Sequence, residues 1–271
     1  MKNLFEITED TSADDVRRAV SAGGDVNARD ENGDTPLTNA CFARNRDAAK
    51  ALIAAGADVN ARARNGVLPI MLFDDSDDDL DMVKTFIAAG ADISARDDDM
   101  GILPLHSAAL GESPVIVSFL IEQGADVNAT DYDGRTALMY AADANTDIDT
   151  SLEANHAIIK TLIAAGAKVN AQDNEGMNAL MILVELGGSV EALKMLIAAG
   201  ADVNAVNEDG KTALMIAAEM NETDSLIKAL LEMGADKSIK DKDGMRASDY
   251  LEINIDILDE NIRPVLRKLL C

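Results

Sequence analysis

Seven glycines recur at almost one interval: Gly23, Gly56, Gly90, Gly124, Gly166, Gly200 and Gly234 are separated by 33, 34, 34, 42, 34 and 34 residues. A second series, Gly33, Gly66, Gly101, Gly134, Gly176, Gly210 and Gly244, trails the first by ten or eleven positions. A fixed period of this length argues for stacked copies of one small unit rather than one large core. The stretch from Gly200 to Leu214, Gly-Ala-Asp-Val-Asn-Ala-Val-Asn-Glu-Asp-Gly-Lys-Thr-Ala-Leu, shows the unit's joint. Gly200 ends one helix in a left-handed backbone. Asp202 to Ala205 is expected to be a short extended piece, and Gly210 the tightest point of a polar turn. Thr212 is placed to cap the next helix, which opens with Ala213, Leu214 and Met215.

Two short apolar patterns follow each turn; in the second repeat they cover about 35–43 and 47–55. The chain therefore divides, as one repeat domain, into an N-terminal cap (1–29), six full repeats (30–244) and a C-terminal cap (245–271). The N-terminal cap is expected to be a helix pair over about 2–22. Arg263, Arg267 and Lys268 suit the negative end of the last helix. The 42-residue interval places eight extra residues in 143–156, between paired helices. A loop there is either a binding element or a tolerated insertion, since length in a surface loop adds little entropy.

Asp34-Thr35-Pro36-Leu37 and Leu103-Pro104-Leu105-His106-Ser107-Ala108, with the repeated Gly-Ala-Asp-Val-Asn-Ala ends, resemble the ankyrin repeat family across nearly the whole chain. The resemblance implies an all-α solenoid, an ankyrin repeat stack of paired antiparallel helices with β-hairpin turns and a concave groove. Departures from the family pattern are specific. The usual His survives as His106, while Met71, Met139, Met181 and Met215 replace it, so those repeats should lean on apolar packing. The usual Thr is absent at Leu68, Leu103 and Asn178.

Charge sets the next limit: 49 acidic against 24 basic residues, net −25. No basic stripe offers itself to phosphates, so nucleic acid is excluded as a partner class. An anionic membrane surface is excluded by the same sign. Hydrophobic residues make up 48% with only 3% aromatic and no Trp, which suits closely packed helices. The N-terminal stretch has no apolar run of signal-peptide length, so a cytoplasmic protein is expected, or an exported one if a leader has been removed. Cys41 and Cys271 are expected to be free thiols, several layers apart.

Catalytic motifs are not found. His106 fills a structural position of the family, and His156 is expected to be a solvated surface residue at a helix start. No nucleophile motif, phosphate-cradling glycine run or zinc spacing is present, and no cofactor is implied. Asp75, Asp77 and Asp79 alternate like the opening of a calcium loop. Leu80 and Phe86 occupy the positions where such a loop needs Gly and Glu, so cation binding is a remote alternative.

The resemblance implies binding through turn tips and the exposed sides of first helices. Carried onto this sequence, those positions include Tyr132, Asp133, Glu175, Met177, Glu208 and Asp209 at the tips. On or beside the first helices they are Phe42, Asp75, Leu110, Asp143, Glu185, Glu219 and Met220. Acidic residues dominate, with Tyr132, Phe42, Leu110, Met177 and Met220 as apolar anchors and Arg64 and Arg135 breaking the pattern. The expected function is a non-enzymatic, monomeric protein–protein interaction scaffold with a basic protein partner. The alternative is a regulator that masks a partner enzyme.

Overall fold

Both glycine series take the backbone that the period requires. The helix-ending series has φ between 90° and 97°, and the turn series between 72° and 86°. The computed structural model describes residues 4–64, 66–73, 77–111, 113–143, 149–220, 224–253 and 270. Asp75, Cys271, Arg263, Arg267 and Lys268 lie outside the described residues, as do 144–148 of the insertion.

Among the described residues the regular structure is helical, and the chain forms two compact units, Met1–Asp126 and Val127–Cys271. The first unit holds α1 (Ala13–Ser21), α2 (Pro36–Phe42), α3 (Arg46–Ala54), α4 (Asp77–Ala88), α5 (Pro104–Leu110) and α6 (Pro114–Glu122), with a 3-10 turn at Pro69–Leu72. The second holds α7 (Ala137–Asp143), α8 (Asp149–Ala164), α9 (Ala179–Glu185), α10 (Val190–Ala198), α11 (Ala213–Glu219), α12 (Asp224–Glu232) and α13 (Ala247–Ile253). Each full repeat thus contributes a short first helix, reduced to the 3-10 turn before α4, and a longer second one.

First helices are buried almost all round because each lies between its neighbours. Within the second unit α9 packs against both α7 and α11, and α11 against α13. Ala179, Leu180, Met181, Ile182, Leu183 and Val184 are all buried in consequence. Alanines at Ala141, Ala142, Ala217 and Ala218 keep these short helices narrow enough to stack. Met139, Met181 and Met215 are each 1% exposed, so the apolar replacement of the family's His does sit in the packed layer.

Caps explain where first helices begin. Thr212 accepts the Met215 N–H at 3.3 Å, and Asn178 takes over the missing Thr's task by accepting the Met181 N–H at 2.9 Å. Leu68 has no oxygen to offer, and that repeat forms only the 3-10 turn. Leu103 lacks one too, and proline opens both elements as Pro69 and Pro104, but in α5 His106 Nδ1 accepts the Leu103 N–H at 3.4 Å. His106 is 1% exposed and structural, as expected.

Three expectations are corrected. The N-terminal cap shows one helix among the described residues, α1, rather than a pair. The insertion is not wholly loop: α8 starts at Asp149 and runs 16 residues, so part of the added length extends the second helix. Asp202 to Ala205 is a turn rather than an extended piece, closed by Ala205 N–H to Asp202 C=O at 3.1 Å. Its Asp caps its own bend, with Asp202 Oδ1 accepting the Asn204 N–H at 2.9 Å. As for the hairpins, most of the described turns close by two backbone bonds, as Asn207 N–H to Lys211 C=O at 3.0 Å and Gly210 N–H to Asn207 C=O at 2.9 Å, and among the described residues one isolated antiparallel bridge joins Thr130 and Thr136.

That turn frees the Asn side chain to reach the next repeat. Asn170 donates to the Gly200 carbonyl at 2.8 Å, and Asn204 to that of Gly234 at 3.3 Å. Asn60 binds Gly90 in the first unit at 3.0 Å. Each Asn oxygen accepts the backbone N–H two residues beyond that glycine: Asp92, Asp202 and Asp236 at 2.7–2.8 Å. Asn128 makes the same two contacts across the long repeat, to Gly166 and Lys168, over separations of 38 and 40 residues instead of 30 and 32. Ser94 breaks the series and binds its own Asp92 carboxylate at 2.6 Å.

Candidate binding face

In the second unit the turn tips stack directly on one another. Asn174 N–H donates to Asp133 C=O at 2.8 Å, Glu208 to Glu175 at 2.9 Å, and Lys242 to Asp209 at 3.0 Å. The approach is so close that a Cβ on Gly176 would stand 2.6 Å from the Glu208 nitrogen, so the turn glycine is required by packing as well as by φ. Stacking lines up the exposed tip residues Tyr132, Asp133, Glu175, Glu208 and Asp209. Tyr132 is 58% exposed and Met220, just past α11, 47%. These positions, named from the sequence, are exposed in the second unit.

Several acidic positions are neutralised locally. Arg135 pairs with Asp143 at 2.8 Å and lies over the Tyr140 ring at 5.7 Å; Lys211 pairs with Glu219 at 2.7 Å. Asp143 and Glu219 are therefore internal ion-pair members more than open charges. Met177 is corrected as an anchor, being 6% exposed. It forms a wall of a recess of about 300 Å³ together with Asp133, Arg135, Asp173, Asn174, Glu175, Ile182 and Glu185. The pKa of Glu185 is raised by partial burial first, then by Glu175, against an opposing pull from Arg135.

Asp173 and Ile182 are not among the positions that the family resemblance marks. Their signal lay in comparing, from repeat to repeat, the turn acid with the residue nine positions after it. Tyr140 Oη donates to Asp131 Oδ2 at 2.6 Å and Tyr250 Oη to Asp241 Oδ2 at 2.5 Å, whereas Ile182 holds the equivalent place beside Asp173. Burial and the Asp131 bond push the Tyr140 hydroxyl's pKa up.

In the first unit Phe42 is 41% exposed with Arg64 over its ring at 5.8 Å, and Leu110 is 45% exposed at the end of α5. Asp79, from the calcium-like run, is fully buried: Arg46 Nε binds its Oδ1 at 3.0 Å and Arg44 its Oδ2 at 3.4 Å. Its carboxylate is occupied by guanidinium groups rather than open to a cation. Among the described residues no group of three His, Cys, Asp or Glu is placed to hold a metal. His156 is not simply solvated, since its Nε2 meets Ser189 Oγ, the cap of α10, at 2.7 Å. No helix among the described residues is long and apolar enough to cross a membrane.

Comparison with known families agrees with the geometry. Ankyrin repeats (3 copies) match residues 70–152 and 148–241, and a single ankyrin repeat matches 32–64. Such repeats are generally protein–protein interaction modules. With the repeated helix pair, its turn and its two glycine positions in place over these spans, the chain belongs to the ankyrin repeat family.

Proposed function

We propose that the chain is a non-enzymatic scaffold that holds a basic protein partner on the acidic tip face of residues 127–271. The observation that carries this reading is the direct stacking of three tips bearing Asp133, Glu175, Glu208 and Asp209, flanked by exposed Tyr132 and Met220. Carboxylates in register steer an oppositely charged surface, and apolar anchors then hold it. Steering acts on the association rate and is screened over ~8 Å at physiological ionic strength.

The test begins with a partner captured by affinity purification and turns on kinetics. Replacing Asp133 by Asn and Glu175 and Glu208 by Gln should slow association at low salt by about tenfold or more. Replacing Glu153, Glu191 and Glu232 on the second helices by Gln removes the same charge elsewhere and should leave the rate nearly unchanged. Equal slowing by both sets would reduce the effect to net charge and remove the face. Tyr132→Ala should instead speed dissociation.

A further inference from the structure

The repeat of α9 and α10 lacks two internal partners that occur in other repeats of the same unit, and both positions line one recess. The first concerns the residue after the turn glycine. In the repeats on either side, Arg135 reaches Asp143 at 2.8 Å and Lys211 reaches Glu219 at 2.7 Å. Between them the corresponding residue is Met177, and Glu185 has neither ion pair nor hydrogen bond among the described residues.

The second vacancy concerns Asp173, whose side chain is 8% exposed. Its Oδ1 accepts the N–H groups of Glu175 and Met177 at 2.9 and 2.8 Å. Its Oδ2 has no hydrogen-bond donor among the described residues; Arg135 Nε stands 3.9 Å away, beyond hydrogen-bond range. A tyrosine hydroxyl supplies the corresponding bond to Asp131 and to Asp241, but Ile182 cannot. Where isoleucine recurs at this step, as Ile216, the turn residue is the neutral Asn207 and no charge is left over. Asp173 lines the recess, so its Oδ2, which lacks an internal hydrogen-bond donor among the described residues, is placed to accept one from outside.

The recess is built for one kind of donor. Asp133, Asp173, Glu175 and Glu185 line it against a single cation, Arg135, which is already paired with Asp143. Met177 and Ile182 supply apolar wall. Carboxylates around an apolar wall fit a side chain with a methylene stem and a cationic head. We infer that the recess between Asp173 and Glu185 receives a lysine or arginine side chain of a partner protein. That residue supplies in trans the cation that Arg135 and Lys211 supply in cis next door. The inference rests on the scaffold reading and names the contact at its centre.

The experiment titrates ¹⁵N-labelled full-length protein with acetyl-Gly-Arg-Gly-amide, its lysine analogue and its norleucine analogue. Both cationic peptides should shift the amides of Asn174, Glu175 and Gly176 saturably, with Kd on the order of 1 mM, and norleucine should not. Binding should weaken as salt rises. The Glu185 carboxyl should titrate lower in the complex, because a cation beside it favours the charged form. Met177→Lys rebuilds the neighbours' internal pair and should reduce peptide affinity about tenfold. Glu185→Gln, at an exposed position, should do likewise and guards against a packing defect in the first variant. Norleucine binding as well as arginine, undiminished binding by both variants, or no saturable shift would each overturn the inference. If the peptides fail while partner association still depends on Asp133, Glu175 and Glu208, the recess falls and the face stands. If the control charges matter equally, the face falls.

Discussion

Asn170 donates its side-chain amide to the Gly200 carbonyl at 2.8 Å, and its side-chain oxygen accepts the N–H of Asp202 at the same distance. One side chain thus satisfies a helix-end carbonyl and a turn amide of the following repeat. Asn170→Ala should lower unfolding free energy by about 1–2 kcal/mol, the sum of two exposed bonds at ~0.5–1 kcal/mol each. Urea unfolding reads the change, and an unchanged midpoint would mean that water replaces both bonds without loss.

Ser94 occupies the same place but binds Asp92 instead. Ser94→Asn should extend the Asn series to the Gly124 carbonyl and the Asp126 N–H, raising stability by about 1 kcal/mol. The thermal midpoint is the measurement, and a fall would show that this turn cannot accept the longer side chain.

Tyr140 donates to a carboxylate that is itself buried, Asp131 at 5% exposure. Tyr140→Phe leaves that oxygen without its donor and should destabilise by about 2 kcal/mol, the range for a bond to a charged group. Equal stability of the Phe variant would argue that Arg135 compensates.

The pKa of His156 is lowered by burial first, with Lys160 adding to it and Glu191 and Glu153 opposing. The folded state therefore prefers the neutral ring, and the unfolded chain binds the proton more readily. This contribution is present above the unfolded value of 6.5 and is lost as pH falls below it toward the folded value. His156→Gln should lose less of its thermal stability than the parent protein between pH 7.5 and 5.5. Identical slopes would remove His156 as a source of acid sensitivity.

Cys41 is buried, and burial pushes its thiol pKa up. It should resist Ellman's reagent in the native protein and react only on unfolding. Fast native labelling of Cys41, checked with Cys271→Ser, would show that α2 opens readily.

The repeat unit was legible because its two glycines and its cap residues are local requirements that recur in register. The Asn series was not, because Asp202 to Ala205 bends through a side-chain cap that imitates an extended pattern of alternating residues. Asp133, Glu175, Glu208 and Asp209 were found as tip positions, since a tip is exposed wherever the turn falls. Met177 was misjudged as exposed because turn neighbours do not reveal the recess that Ile182 leaves beside it. Asp143 and Glu219 were identified as acidic, but their pairing with Arg135 and Lys211 needs side-chain geometry. Asp173 escaped notice because its meaning lies in what is absent nine positions later.

The reach of Asn128 to Gly166 has a practical corollary. Its two bonds keep the usual lengths although eight more residues lie between the ends than in the other repeats. The bookmark that indexes one layer to the next is blind to what the chain does between the paired helices. The eight residues added in this repeat lengthen the chain without changing that contact. That joint is the natural position for a grafted tag, a fluorophore-bearing loop or a second recognition element.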